Sequence, residues 1–282
     1  MRTRRREGQD GAFVSDILHS IVLGIVEGVT EFLPISSTAH LLVTEKLLGL
    51  SGERWEAFTV IIQLGAILAV VAAYWEKFRD VLVGLPTSTD ARRFATGVIV
   101  AFLPAAVCGV VFGKAIKSVL LSPDHALPFI AASWIAGGLL ILLLERLAPP
   151  PVWRDGDDLP LAKALQIGIC QVLALVPGVS RSGATILGGE LLGVERTAAA
   201  TFTFYLAVPT MLGATVYELY KSREALSGHD GVIIAIGFVV SFLVARLVIR
   251  GFLAVVGSRG LAPFGWYRIV AGVALAAYLV AA

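Results

Sequence analysis

The sequence predicts an all-α polytopic membrane protein, with six transmembrane helices and two re-entrant helical hairpins in an inverted-topology repeat. Three observations lead there. Hydrophobic residues make up 57% of the chain and charged residues only 16%, with a mean hydropathy of +0.82, whereas soluble domains carry about 25% charged residues. Uncharged apolar runs recur, each near the length of about 20 residues that a helix needs to cross a bilayer. Finally, residues 167–193 repeat residues 23–49 at a constant offset of 144, with Gly24 on Gly168, Glu27 on Gln171, Ser36 on Ser180 and Leu47-Leu48-Gly49 on Leu191-Leu192-Gly193. One register held for that long indicates an internal duplication.

A basic, polar stretch, residues 1–12, opens the chain as an arm beside the membrane surface. It is not a signal peptide, because the apolar run behind it contains Glu27 and Glu31 and no small-residue cleavage site. Residues 13–33 and 35–50 form two apolar segments around a polar break, the second too short to span. Broken backbone at membrane depth is tolerated only inside protein or beside water, so 13–50 is expected as a re-entrant hairpin. The alternative is an ordinary spanning helix followed by an interfacial one. Spans follow at 57–75, 94–113 and 126–144, then a polar loop with Pro149, Pro150 and Pro151 over 145–163. The hairpin recurs at 161–193, and spans at 197–217, 231–249 and 263–282 close the chain. The membrane domain is therefore two repeats, 13–145 and 160–282. Three spans separate the hairpins, an odd number, so the hairpins enter from opposite faces and their tips meet near the midplane.

Charge sets limits on partners. A net charge of +2 gives no reason to expect nucleic acid. Counted by loop, ten Lys and Arg fall on the N-terminal side and twelve, Arg268 among them, on the other. Without the arm the count is six against twelve, which puts both termini outside; the arm pulls the other way. Cys108 and Cys170 lie in apolar runs without metal spacing and read as small core residues. His19, His125 and His229 read as surface residues, and Glu195 with Arg196 as an interfacial ion pair.

The chemistry sits at the two breaks. Glu27 and Glu31 are four apart and share a helix face. Pro34 ends that helix. Ser36, Ser37 and Thr38 resemble an N-cap cluster for the next helix, with His40 in its first turn. The second break offers Gly178, Ser180, Arg181, Ser182, Gly183 and Thr185. A cation such as Arg181 inside an apolar repeat is expensive and implies a carboxylate partner, Glu31 or Glu27, or an anionic ligand. A guanidinium fork at a fresh helix N-terminus suits phosphate oxygens. The tips are unequal: where one has Glu27, Glu31, Ser37 and His40, the other has Gln171, Leu175, Arg181 and Ala184. For phosphoryl transfer, Arg181 would neutralise the equatorial oxygens. Ser37 or a water would attack, with Glu31 or His40 as base or leaving-group acid. Glu27 with Glu31 is also a candidate site for Mg²⁺ or Ca²⁺. Gln63 either lines the pocket or forms a helix–helix hydrogen bond.

The tip sequences EGVTEFLPISSTAH (27–40) and PGVSRSGAT (177–185), together with IIQLGAILAV (61–70) and TFTFYLAVPTMLGAT (201–215), resemble the undecaprenyl-diphosphate phosphatases of the bacitracin-resistance type. That resemblance covers nearly the whole chain apart from the arm. It implies a bacterial inner-membrane hydrolase that converts a C55 isoprenoid diphosphate to the monophosphate, with the pocket open to the outer face. It carries the glutamate pair onto Glu27 and Glu31, the Ser-Ser-Thr and histidine onto Ser36, Ser37, Thr38 and His40, and the anion motif onto Pro177, Gly178, Ser180, Arg181, Ser182 and Thr185. The partners implied are undecaprenyl diphosphate and membrane lipids, with no organic cofactor. The rival reading is a transporter of a polyprenyl phosphate, since inverted repeats with broken helices are the usual transporter plan.

Overall fold

The structure is a computed structural model that describes residues 2–120, 125–222 and 230–281; the side chains of 2–12, 117, 218, 221 and 222 lie outside it, as do the expectations for His229 and for the side chains of the basic arm. Its helices are α1 (Arg2–Thr30), α2 (Ser37–Leu47), α3 (Glu53–Ala73), α4 (Trp75–Gly84), α5 (Thr89–Leu120), α6 (Ala126–Leu144), α7 (Leu161–Gln171), α8 (Arg181–Leu191), α9 (Arg196–Ser222), α10 (Asp230–Arg259) and α11 (Ala262–Ala281). Among the described residues the β contacts amount to one isolated bridge, Trp153 with Val194.

Among the described residues, seven helices are long and apolar enough to cross a membrane. Six of them coincide with the expected spans. The seventh is Phe13–Thr30, expected as one arm of a re-entrant hairpin and long enough here for the alternative, an ordinary spanning helix; its counterpart, Leu161–Leu175, is shorter. Both hairpins break where the sequence places the break. α1 stops at Thr30, residues 31–35 turn, and α2 starts at Ser37. α7 passes through a 3-10 turn, Val172–Leu175, and α8 starts at Arg181.

Part of the packing follows the offset between the two halves. α1 packs on α10, and its counterpart α7 packs on α5. α3 packs on α10, and its counterpart α9 on α5. α3 and α9 meet each other, as do α6 and α11. Other contacts are one-sided: α8 packs on α9, and α1 packs on α3. The register of the repeat changes downstream of α4: Pro128-Phe129 and Gly137 in α6 match Pro263-Phe264 and Gly272 in α11 at an offset of 135.

Small residues bring these helices together, because in lipid the association rests on close packing rather than on the hydrophobic effect. A Cβ at Gly24 would lie 2.7 Å from the Gly237 carbonyl, and one at Gly28 would lie 2.8 Å from the Ser241 carbonyl, so α1 approaches α10 through a Gly-x-x-x-Gly face. A Cβ at Gly265 would lie 3.1 Å from the Gly138 carbonyl, and one at Gly272 would lie 2.8 Å from the Ala131 carbonyl. α6 and α11 therefore nearly touch backbone to backbone.

Ion pairs tie the ends of the bundle. Arg54 joins Asp16 at 2.8 Å and Asp230 at 2.6 Å, linking α3 to α1 and α10. The polar loop after α6 is pinned by Lys77 to Asp157 at 2.7 Å and Arg93 to Asp158 at 2.9 Å. Arg196 does not pair with Glu195 as the sequence suggested. It reaches Glu190 and, at 2.9 Å, Glu145, while Glu195 caps α9 by accepting from the Ala198 N–H at 2.9 Å.

Candidate active site

Tip one is built by packing. Phe32 is fully buried and meets Phe204 of α9 edge-on, with ring centroids 5.3 Å apart. That anchor fixes the turn on which Glu31 stands. Ser36, the residue before α2, has φ 71, the positive value of a non-glycine residue among those described. Such backbone is strained and tends to mark functional sites. The expected cap is not made there: the Ser36 side chain caps nothing. Its carbonyl accepts instead from the His40 N–H at 3.3 Å and from His40 Nδ1 at 2.8 Å.

Tip two follows the capping rule. Ser180 Oγ accepts from the Gly183 N–H at 3.1 Å and so caps α8. Gly178 takes φ 83, and a Cβ there would lie 2.7 Å from Ser133 Oγ, so both the turn and the space require glycine. Thr185 is fully buried; it donates to the Arg181 carbonyl at 2.9 Å and accepts from Thr203 Oγ1 at 2.8 Å, which joins α8 to α9.

The tips meet. Ser182 Oγ donates to the Leu33 carbonyl at 2.9 Å, and Ser180 Oγ reaches the same oxygen at 3.3 Å. Arg181 Nη2 pairs with Glu31 Oε1 at 3.2 Å, while its Nη1 donates to the Thr203 carbonyl at 3.1 Å. Ser37 Oγ donates to the other oxygen of Glu31 in a short hydrogen bond. Ser37, Glu31 and Arg181 thus form one connected chain, buried at the junction of the repeats, with Glu31 in the middle.

Among the described residues, Arg181 Nε, both carboxylate oxygens of Glu27 and Gln171 Nε2 are buried without a hydrogen bond of ordinary geometry. Leaving such groups unsatisfied is costly, and these four atoms lie around the Arg181–Glu31 pair, which makes it the candidate ligand site. Glu27 lies within electrostatic reach of Glu31 and Arg181. Gln171, its repeat partner, accepts weakly from Thr210 at 3.4 Å, beside Met211, whose sulfur touches Arg181 Nη2 at 3.8 Å.

A divalent cation can be tested against this donor set. The free oxygens of Glu27 are what an oxygen-seeking ion needs. Both Glu31 oxygens are already engaged. Among the described residues no three His, Cys, Asp or Glu cluster. The set fits an ion that takes Glu27, shares Glu31 and completes its shell from water and phosphate oxygens. It does not fit an all-protein cage.

Other expected site residues stand apart. His40 bonds the Ser36 carbonyl and, at 2.8 Å, Tyr267 Oη, with its ring stacked on Tyr267 and 4.5 Å from the Trp134 ring centroid. Its nitrogens are thereby held by neither Ser37 nor Glu31. Thr38 is exposed. Gln63 sits half-buried on α3 and forms no side-chain hydrogen bond among the described residues.

Arg268 is the residue that sequence reasoning misplaced. Counted there as a loop charge, it is 2% exposed and donates to the carbonyls of Gly178 at 2.9 Å, Ser133 at 3.0 Å and Pro34 at 3.3 Å. The available signal was a lone cation seven residues into the last apolar helix (Ala262–Ala281), a place where intramembrane charge is expensive.

Comparison with known proteins agrees with this architecture. The family model "Bacitracin resistance protein BacA" matches residues 20–274. A protein named undecaprenyl-diphosphatase from Rhodopseudomonas palustris (strain BisA53) is 48% identical over 260 residues, 92% of this chain and 96% of its own. One of the same name from Bradyrhizobium diazoefficiens is 48% identical over 261 residues, with the same coverage. Another from Caulobacter sp. (strain K31) is 48% identical over 258 residues, again covering 92% and 96%. With the match running through both tips and all the long helices, the chain belongs to the bacitracin resistance protein BacA family.

Proposed function

We propose that the protein hydrolyses undecaprenyl diphosphate to undecaprenyl phosphate and inorganic phosphate, and so recycles a lipid carrier for cell-wall synthesis and confers bacitracin resistance. The observation that carries this is the Ser37–Glu31–Arg181 chain across the two tips. It sets a hydroxyl and an anion-binding fork each in hydrogen-bond contact with one carboxylate, inside an apolar bundle.

The steps balance as follows. Arg181, through its free Nε–H, binds the terminal phosphate and spreads its charge. Glu31 takes the Ser37 proton as Oγ attacks the terminal phosphorus. The bond from that phosphorus to the bridging oxygen breaks, and the lipid monophosphate departs. Glu31 passes the Ser37 proton to the departing lipid phosphate; water then attacks the phosphoserine and gives a proton to Glu31, which returns it to Ser37 Oγ as the phosphoserine bond breaks and phosphate leaves. Where a Mg²⁺ or Ca²⁺ is bound at Glu27 and Glu31, it supplies additional charge neutralisation. His40, tied to Ser36 and Tyr267, positions the start of α2.

The same reading extends to topology. The partly mirrored packing supports an inverted repeat, with α1–α2 and α7–α8 as hairpins from opposite faces of the bacterial inner membrane and the pocket open to the outer face. A pure transporter would leave the Ser37–Glu31 contact without a task.

The test is phosphate release from purified protein given a long-chain prenyl diphosphate, for wild type and Arg181→Ala. Release by wild type alone supports the reading. Binding of the lipid by wild type without release overturns it in favour of transport.

A further inference from the structure

Arg268 belongs to no step above, yet it touches both halves of the site. Its three firm acceptors come from three separate pieces of chain: Pro34 in tip one, Gly178 in tip two and Ser133 in α6. Pro34 and Gly178 are repeat partners at the offset of 144. One guanidinium therefore bridges the equivalent carbonyls of the two tips. Its own repeat partner, at the α6–α11 offset of 135, is Ser133. At that offset one half carries a serine where the other carries an arginine, so a single guanidinium serves both tips.

The surroundings are shaped for it. A Cβ at Gly137 would fall on the guanidinium, 2.6 Å from Cζ. Glycine at 137 thus opens the passage through α6 by which the side chain reaches the tips. No acidic side chain among the described residues forms an ion pair with Arg268, so its holding power lies in the five-donor fork and the carbonyls it spans. The Leu33 carbonyl, next to that of Pro34, takes the hydroxyls of tip two. The serines of tip two and Arg268 thus hold two successive carbonyls of tip one.

We propose that Arg268 is a positioning residue: it sets the distance between the tips, and through it the alignment of Ser37 and Glu31 with Arg181. The kinetic part of its test rests on the diphosphatase reading; the structural part does not.

The experiment compares wild type, Arg268→Lys, Gly137→Ala and Gly251→Ala in lipid nanodiscs. It reads kcat and KM on a long-chain prenyl diphosphate, and backbone hydrogen exchange over residues 31–38 and 176–183. Lysine keeps the charge but has no fork to span three carbonyls. Arg268→Lys is expected to lower kcat about 100-fold, the scale of an ångström's misplacement, with KM within about threefold. Exchange should rise at both tips together. Gly137→Ala, which displaces the guanidinium without removing it, should show the same paired loosening and carries the test should Arg268→Lys fail to fold. Gly251→Ala, whose Cβ would meet open space, is the neutral control. Wild-type kcat in Arg268→Lys, or loosening confined to one tip, overturns the proposal. If wild type itself releases no phosphate, the diphosphatase reading falls, and the exchange data alone still decide the role of Arg268.

Discussion

The two tips align at an offset of 144 and differ along chemical lines. Position 37 of the first and position 181 of the second are repeat partners, yet one is a serine and the other an arginine. Glu31 faces Leu175 in the alignment, and Glu27 faces Gln171. The first tip thus keeps the proton-accepting groups and the hydroxyl, while the second keeps the cation. The difference extends to the backbone. Tip two obeys local rules, with a serine cap and a glycine at positive φ. Tip one breaks them, with an uncapped helix start and a serine at φ 71. Under the proposed function, this difference is what lets one tip supply the nucleophile and the other hold the anion.

This division can be broken most sharply at its paired positions. Arg181→Ala should cost about 10³-fold or more in kcat/KM, as for removal of an arginine that steadies a transferring phosphoryl group. Arg181→Lys should recover little, because the fork serves Glu31 and the Thr203 carbonyl at once. Ser37→Ala should lose activity on the same scale, and phosphoenzyme trapped by rapid quench should carry its label on Ser37. Retention of most of the rate would assign attack to water held by Glu31.

Smaller effects test the local asymmetry. His40→Ala and Tyr267→Phe should each lower kcat about tenfold, and the double variant should be no worse than either, because the two rings act as one support. Removal of the Ser180 cap in Ser180→Ala should reduce stability by about 1 kcal/mol in thermal unfolding, whereas Ser36→Ala should change it little, since that hydroxyl caps nothing. Least of all, Thr38→Ala and Gln63→Ala should keep rates within about twofold, for neither side chain bonds to the catalytic chain.

Much of this was legible in the residues themselves. Hydropathy reports the spans because lipid leaves backbone polar groups no partner outside the helix. The two breaks were visible in Pro34 and in the glycines around Arg181, and the candidate chemistry in the clustering of carboxylates, hydroxyls and a cation that an apolar bundle would otherwise exclude. The repeat was visible as a register. Three-dimensional packing decided the rest. Ser37 bonds Glu31 rather than His40 because Tyr267, 227 residues further on, holds the imidazole. Arg268 looked like a loop charge because its acceptors are main-chain carbonyls, which carry no mark in a sequence. The partner of Arg181 was open between Glu27 and Glu31 until Phe32 seated on Phe204 and turned one of them toward the other tip. Period and composition are local properties, written along the chain. Which buried donor meets which acceptor depends on contacts between distant segments, and these exist only once the helices have packed.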